Sequence, residues 1–263
     1  MREEIRIFFT ALMFYTRIPC PVWVDHSPEY INKATRYFPL IGWIVGGASA
    51  LVFLGAAFLW NTPIGLVIAM GASVWITGAF HEDGFADVCD GFGGGWTKER
   101  ILEIMKDSRL GAYGTVGLFF IFILKFFLLL QILTDFSQQP FLILIIFISA
   151  HSLSRFVAAT FIFSHPYARD DAQSKIKPVA VKPAILNLWI AAFGAAVPLL
   201  ALAWWMQSVW VLGLLFPVYG IKMYLAAYFT KKIGGYTGDC LGATQQMCEV
   251  VFYMNLMLLC KFT

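Results

Sequence analysis

Long apolar stretches separated by short polar connections make up most of this chain. A helix needs about 20 mostly apolar residues to cross the hydrocarbon core of a bilayer. Stretches of that length and composition cover residues 37–60, 62–80, 115–134, 140–163, 184–206, 208–230 and 246–262. The pattern therefore predicts an all-α fold, a polytopic bundle of about seven transmembrane helices.

The apolar segment ahead of the first predicted span, from Ile5 to Tyr15, is too short to cross a bilayer. Arg6 and Arg17 lie near its two ends, which is typical of an interfacial or re-entrant helix. No internal repeat, linker or low-complexity tract divides the chain. Residues 1–263 are therefore assigned to a single integral membrane domain.

The composition excludes a water-soluble fold. The chain is 59% hydrophobic and 13% charged, whereas soluble domains are about one quarter charged. The net charge of +3 gives no indication of a nucleic-acid partner. The five cysteines form no C-x-x-C pair, so they are interpreted as packing residues rather than as zinc ligands or disulfides.

Charged residues are concentrated in alternate connections between the predicted spans. Most of the 19 basic residues lie in the N-terminal segment and in the second, fourth and sixth connections, the fourth including Lys175, Lys177 and Lys182. By the positive-inside rule these connections face the cytoplasm. Because the acidic residues follow nearly the same division, the sequence predicts a cytoplasmic-membrane protein with a cytoplasmic active site.

The densest polar cluster, residues 81–91, directly follows a predicted span. Asp83, Asp87 and Asp90 are spaced so that three carboxylates share one face of a helix. Carboxylates this close repel one another unless a cation lies among them, and hard oxygen ligands suit Mg²⁺. The cluster predicts a magnesium site; the alternatives are a solvated acidic helix face and the cation site of a transporter.

A glycine-rich segment, residues 91–96, comes next. It permits close approach of the backbone to a ligand, or forms a flexible loop. Thr97 predicts the N-cap of a short amphipathic helix, which returns Lys106, Asp107 and Arg109 toward the membrane edge. Lys and Arg side chains are suited to binding the phosphates of a diphosphate or a nucleotide.

A third polar segment, residues 234–244, places Asp239 among glycines between the last two predicted spans. A tight turn between helices would account for the glycines but not for Asp239 or Thr237. Lys125 and Lys222 fall near the middle of predicted spans, where a charge is expected to pair within the bundle, reach the interface or line a cavity.

Several strings of residues, in this order along the chain, resemble the cobalamin synthase family, also called adenosylcobinamide-GDP ribazoletransferases. They are TRIP at residues 16–19, FPLIG at 38–42, HEDGFADVCDG at 81–91, EIMKDSRLGAYG at 103–114 and GGYTGD at 234–239. Any one of them is weak, whereas the combination is specific. The resemblance extends over essentially the whole chain.

The resemblance implies transfer of the cobinamide phosphate from its GDP-activated form to α-ribazole or its 5′-phosphate. The reaction releases GMP, uses magnesium and is a late step of vitamin B12 assembly at the cytoplasmic membrane. A homo-oligomer or a larger biosynthetic complex is left open. The Asp spacing is also partly similar to that of CDP-alcohol phosphotransferases, but Ala86-Asp87 replaces their Ala-Arg, which argues against a phospholipid product.

On this interpretation Asp83, Asp87 and Asp90, with Glu82 as a fourth carboxylate, hold one or two Mg²⁺ ions. The catalytic set adds Asp107 and Asp239. These last two are both candidates for the base that accepts the proton of the attacking ribose hydroxyl, and the sequence gives no ground for choosing between them. The residues assigned to substrate binding are Arg17, Lys106, Arg109 and Thr237.

Overall fold

The structure is a computed structural model that describes residues 2–24, 27–169 and 184–262. Lys175, Lys177 and Lys182, which contributed to the predicted orientation, lie outside these ranges. Within the ranges the chain forms α-helices and short 3₁₀ turns, and no β-strand. The helices are α1 Arg2–Tyr15, α2 Pro28–Ala34, α3 Phe38–Leu59, α4 Thr62–Thr77, α5 Phe80–Gly94, α6 Lys98–Ile104, α7 Ala112–Asp135, α8 Pro140–Ser164, α9 Ile185–Trp205, α10 Leu215–Ile233 and α11 Gly238–Phe262.

The predicted all-α membrane bundle is confirmed, and the count of seven spans is approximate. Among the described residues, 5 helical segments are long and apolar enough to cross a membrane: Pro28–Leu59, Ala112–Asp135, Pro140–Ser164, Ile185–Trp205 and Val209–Ile233. The bent pair of α4 and α5 gives up to 6. The seventh predicted stretch falls on α11, whose Gln245, Gln246 and Glu249 lower its apolar character.

The first helix, α1, is confirmed as a helix and begins at Arg2 rather than at Ile5. Its 14 residues extend over about 21 Å, less than the hydrocarbon thickness of about 30 Å. One face buries Ile7 and Ala11, and the Tyr15 ring stacks on Phe38 of α3 with centroids 4.2 Å apart. This helix is therefore too short to cross a bilayer, and its interfacial or re-entrant position stays a prediction.

The centre of the bundle is α8, which packs closely against α3. A β-carbon at Gly42 would lie 2.5 Å from the carbonyl oxygen of His151, and one at Gly46 would lie 2.7 Å from that of Phe147. Glycines four residues apart let two membrane helices approach at backbone distance. This contact forms the frame on which the remaining helices are arranged.

A sharp bend separates α4 from α5. Gly78 and Ala79 adopt left-handed backbone conformations, with φ of 66° and 60°, which end the helix at Thr77 instead of continuing it to residue 80. The two helix axes consequently differ in direction by 89°. The bend directs α5 away from α3 and lays it against α7 and α11.

Candidate active site

The acidic segment of the sequence forms α5, so the predicted helical spacing of its aspartates is confirmed. Asp83 is exposed, Asp87 is half-buried and Asp90 is buried. The three side chains therefore run from solvent toward the interior along one face of the helix. Their surroundings differ accordingly, and so do the roles open to them.

Two glycines bring α5 against the first turns of α11. A β-carbon at Gly84 would lie 2.9 Å from the Cα atom of Asp239, and one at Gly242 would lie 3.1 Å from the carbonyl oxygen of His81. Larger residues at either position would separate the helices. The close contact places Asp239 beside the face of α5 that carries Asp83 and Asp87.

Asp239 is held in place by two neighbours. A guanidinium nitrogen of Arg169 donates to its Oδ2 at 3.0 Å, and the Thr237 hydroxyl approaches the same oxygen at 3.3 Å. The Thr237 oxygen also accepts from the backbone N–H of Cys240 at 3.3 Å, which caps the start of α11. Thr237 is fully buried, so its observed role is to orient Asp239 and the helix.

Backbone pairing brings Arg169 to this place. The N–H of Tyr236 donates to Pro166 at 3.0 Å, and the N–H of Ala168 donates to Tyr236 at 2.8 Å. Gly235 is required here, because a β-carbon would lie 2.1 Å from the Pro166 carbonyl oxygen. Sequence reasoning missed Arg169; the glycines before Asp239 indicated a close approach but not which segment approaches.

The resulting group, called here the acidic site, has more negative than positive charge: it consists of Asp83, Asp87, Asp239 and Arg169. Asp87 is half-buried beside the charges of Asp83 and Asp239. Burial raises the pKa of Asp239, against the opposing effects of Arg169 and Thr237. Crowded carboxylates of this kind favour binding of a proton or a cation.

Asp90 has different partners. Its two carboxylate oxygens accept the backbone N–H groups of Gly111 at 2.7 Å and of Gly114 at 2.9 Å, at the start of α7. A β-carbon on Gly111 would lie 2.3 Å from Asp90, and one on Gly114 would lie 2.4 Å from it. The observed function of Asp90 is therefore to anchor α7 on α5, and its ligation of magnesium stays a prediction.

Glu82 lies in different surroundings from the three aspartates. One residue along a helix turns the side chain by about 100°, so Glu82 points away from Asp83 and Asp87 into the bundle, where Gln246 donates to it at 2.9 Å. It belongs to a second group, called here the buried network: Glu82, Lys125, His151, Arg155, Gln245, Gln246 and Glu249. Metal ligation by Glu82 stays a prediction, and the structure separates its side chain from Asp83 and Asp87.

The buried network also holds one of the two lysines that the sequence places in mid-span. Lys125 forms an ion pair with Glu249 at 3.0 Å, and both side chains are nearly inaccessible. Gln245 donates to the other oxygen of Glu249 at 2.7 Å. The expected pairing within the bundle is thus observed for Lys125, whereas Lys222 lies over the ring of Phe161 at 4.8 Å.

The segment after α6 forms one wall of a cavity of about 630 Å³, and Asp90 of α5 lines the same cavity. Thr97 caps α6 as predicted, accepting from the N–H of Arg100 at 3.3 Å. Asp107 and Arg109 both line the cavity and pair with each other at 2.6 Å. This contact lowers the pKa of Asp107 to about 2. Lys106 is exposed beside them.

The glycine-rich segment is not a loop. The helix continues through Gly94, and its glycines serve packing: a β-carbon on Gly91 would lie 2.4 Å from Met105, and one on Gly93 would lie 2.6 Å from the ring of Tyr113. The expectation of a flexible loop is therefore wrong for residues 91–94, and close approach of this backbone to a ligand stays a prediction. The glycines let α6 and α7 pack against α5.

Arg17 lies at the bend between α4 and α5. Its backbone N–H donates to Ile76 at 2.7 Å, and its side chain lies against Gly78. The side chain is exposed. The structure thus separates Arg17 from Arg109 and the cavity that Arg109 lines, and substrate binding by Arg17 stays a prediction.

The acidic site fits a magnesium ion that substrate helps to hold. Among the residues that the structure describes, no group of three or more His, Cys, Asp or Glu side chains has the geometry of a complete metal site. Magnesium often takes only one or two protein carboxylates and completes its coordination with phosphates and water. Asp83 and Asp87 supply two such carboxylates, and the acidic site as a whole has more negative than positive charge.

Comparison with known proteins adds independent information. The family model described as cobalamin-5-phosphate synthase matches residues 7–258. A protein of Shewanella piezotolerans named adenosylcobinamide-GDP ribazoletransferase is 47% identical over 98% of this chain and 96% of its own length. Proteins with the same name from Shewanella frigidimarina and Leptothrix cholodnii are each 43% identical, over 97% and 96% of this chain and 95% of their own lengths.

No solved structure matches the chain. The sequence relatives alone therefore decide the family. Both the family match and the relatives extend over nearly the whole chain, including all residues of the acidic site. The chain belongs to the cobalamin-5-phosphate synthase family.

Proposed function

We propose that this chain is an adenosylcobinamide-GDP ribazoletransferase. It joins GDP-activated adenosylcobinamide to α-ribazole or its 5′-phosphate and releases GMP, at the cytoplasmic face of the cytoplasmic membrane. The observation that carries the proposal is the excess of carboxylates where α5 meets α11, close to a cavity lined by Arg109. The names of the relatives and the distribution of basic residues support the substrates and the orientation.

Asp83 and Asp87 are the proposed magnesium ligands. Bound there, the ion supplies neutralising charge for the diphosphate and the departing GMP. Asp83 is the more exposed of the two and faces incoming substrate, whereas Asp87 is half-buried against α11. Arg169 limits the repulsion between these carboxylates and Asp239, so that the site is stable before substrate arrives.

The cavity after α6 is the proposed site of the nucleotide phosphates. Arg109 has an 87% exposed side chain and can turn from Asp107 to a phosphate without leaving a buried charge unpaired. Lys106 provides a second positive charge on the same segment. The ring of Tyr113 also lines the cavity and offers an aromatic face on which the guanine ring of the nucleotide can stack.

Asp239, rather than Asp107, is the proposed base for the attacking ribose hydroxyl. Asp107 lines the cavity proposed for the nucleotide phosphates and is not part of the acidic site. Asp239 lies beside Asp83 and Asp87, where the phosphoryl group would be held. Arg169 and Thr237 hold the Asp239 carboxylate in one orientation through Oδ2, so Oδ1 is left to accept the proton.

The test is release of GMP from adenosylcobinamide-GDP by detergent-purified protein supplied with α-ribazole. We expect Asp83→Asn and removal of magnesium each to lower the rate by at least about 100-fold, the equivalent of several kcal/mol of lost charge stabilisation. Asp135→Asn is the matched control, because Asp135 is exposed at the far end of α7, where Gln131 donates to its carboxylate, and it lies outside the acidic site and the cavity.

Membrane insertion and the unfolding midpoint should be unchanged in both variants. Near-normal transfer by Asp83→Asn would remove Asp83 from the site. Failure of the wild-type protein to release GMP under these conditions, with magnesium and both substrates present, would overturn the proposed activity itself.

A further inference from the structure

A large apolar groove lies on the outer surface of the bundle, between α4 and α7. It has a volume of about 940 Å³. Its walls are formed by Met70, Gly71 and Val74 on α4 and by a row of phenylalanines on α7 that includes Phe119 and Phe126. The groove is separate from the cavity that Arg109 lines, and the proposed reaction makes no use of it.

The groove faces lipid along its whole length. Val67 and Phe127 at one end are each 59% exposed, and Trp75 near the other end is 79% exposed. From Val67 to Gly78 the wall extends over about 16 Å along the helix, close to half the hydrocarbon thickness of a bilayer, which is about 15 Å. An acyl chain that starts at one membrane surface would fill it.

A single positive charge lies at the mouth of the groove. Arg17 is the one charged residue of its lining, and its side chain lies on the bend at Gly78. Within the part of the chain that the structure describes, the Arg17 guanidinium has no hydrogen bond or ion pair. An arginine left without an anion at the end of an apolar groove is complementary to a lipid that carries a negative head group.

We propose that this groove binds one anionic phospholipid, with its phosphate on Arg17 and an acyl chain between α4 and α7. The lipid would fill the space beside the bend between α4 and α5. It would therefore stabilise the strained backbone at Ala79, which is a left-handed residue other than glycine. The proposal does not depend on the proposed reaction, because lipid binding is measured without substrate.

The test is native mass spectrometry of the protein released from bilayer nanodiscs of equal parts phosphatidylglycerol and phosphatidylcholine with identical acyl chains. We expect the wild-type protein to retain one phospholipid with a preference for phosphatidylglycerol of roughly fivefold, the factor that one partly exposed ion pair supplies. Arg17→Gln should retain a lipid but lose the preference.

A matched pair of glycine variants tests the groove itself. Nothing lies within 4 Å of a β-carbon built on Gly71, in the groove, or on Gly55, on α3, so a side chain at either position starts in open space and the two sites are matched. Gly71→Phe should abolish the retained lipid, whereas Gly55→Phe should leave it unchanged. Added phosphatidylglycerol should raise the thermal unfolding midpoint of the wild type and of Gly55→Phe, raise that of Arg17→Gln by less, and leave that of Gly71→Phe unchanged.

Three outcomes would overturn the proposal. The first is retention of phosphatidylglycerol by Gly71→Phe at the wild-type level. The second is an unchanged preference in Arg17→Gln. The third is a wild-type dimer that Gly71→Phe dissociates, which would show that a second copy of the chain covers the groove instead.

Discussion

Two groups of charged residues lie along the same pair of helices, α5 and α11, at different depths. In the buried network Glu249 is paired with Lys125 at 3.0 Å and hydrogen-bonded by Gln245, with Arg155 close by. In the acidic site three aspartates share a single guanidinium, that of Arg169. The first group balances its charges inside the protein, and the second leaves negative charge for something else.

This difference separates structural from functional charge. A buried charge is tolerated when it is paired and hydrogen-bonded, and removing one partner is costly. A crowded group of like charges is itself unfavourable, so neutralising one member should cost no stability while it removes affinity for a cation. The two groups should thus respond in opposite ways to the same type of substitution, carboxylate to amide.

The largest expected effect is in the buried network. Glu249→Gln leaves Lys125 without its anion, and we expect the free energy of unfolding to fall by about 3–5 kcal/mol. Denaturation of detergent-solubilised protein measures this loss. Glu103→Gln is the control, because it breaks only an exposed pair with Arg100, in which the side chains are 69% and 59% exposed. Equal losses in the two variants would show that the buried pair contributes no more to stability than an exposed one.

An intermediate effect is expected for Asp90. Its carboxylate is buried and hydrogen-bonded, as in the buried network, but its partners are backbone N–H groups rather than a charged side chain. Asp90→Asn replaces one acceptor oxygen by a donor that faces the N–H of Gly111 or Gly114. We expect a loss of about 1–3 kcal/mol in unfolding free energy and a smaller loss of turnover than in Asp83→Asn. Parallel measurement of denaturation and GMP release tests this. A rate as low as that of Asp83→Asn, with normal stability, would instead make Asp90 a magnesium ligand as the sequence predicts.

The smallest effect is expected for Arg169. Arg169→Gln removes the one positive charge of the acidic site, so the remaining carboxylates attract a cation more strongly. We expect the magnesium concentration that gives half-maximal turnover to fall by roughly fivefold, the effect of one charge in a partly solvated environment. A magnesium titration of GMP release measures it. An unchanged half-saturation point would mean that Arg169 only holds the two backbone segments together.

The elements of this molecule were predictable because their signals are local. Apolar length predicted the helices, and the spacing of Asp83, Asp87 and Asp90 predicted their common face. Partners that are distant in sequence were not predictable in this way. Spacing alone could not show that Asp90 binds the backbone at Gly111 and Gly114, or that Glu82 meets Gln246 on another helix.

Arg169 is a residue of the acidic site that the sequence did not identify. It is 70 residues from Asp239 and follows a helix whose sequence contains no acidic partner. Its position depends on the backbone pairing of Tyr236 with Pro166, which in turn depends on Gly235. A glycine in the sequence indicates that something approaches closely, but only the fold identifies the approaching segment.

The right-angled bend at Gly78 and Ala79 has a consequence for which parts of the chain become neighbours. A straight continuation of α4 would carry the acidic segment onward along the same axis, whereas the bend lays α5 against α7 and α11. In that position Asp90 reaches the first turn of α7, and Asp83 and Asp87 lie beside Asp239. Two residues of left-handed backbone thus bring together groups that are more than 100 positions apart in the sequence.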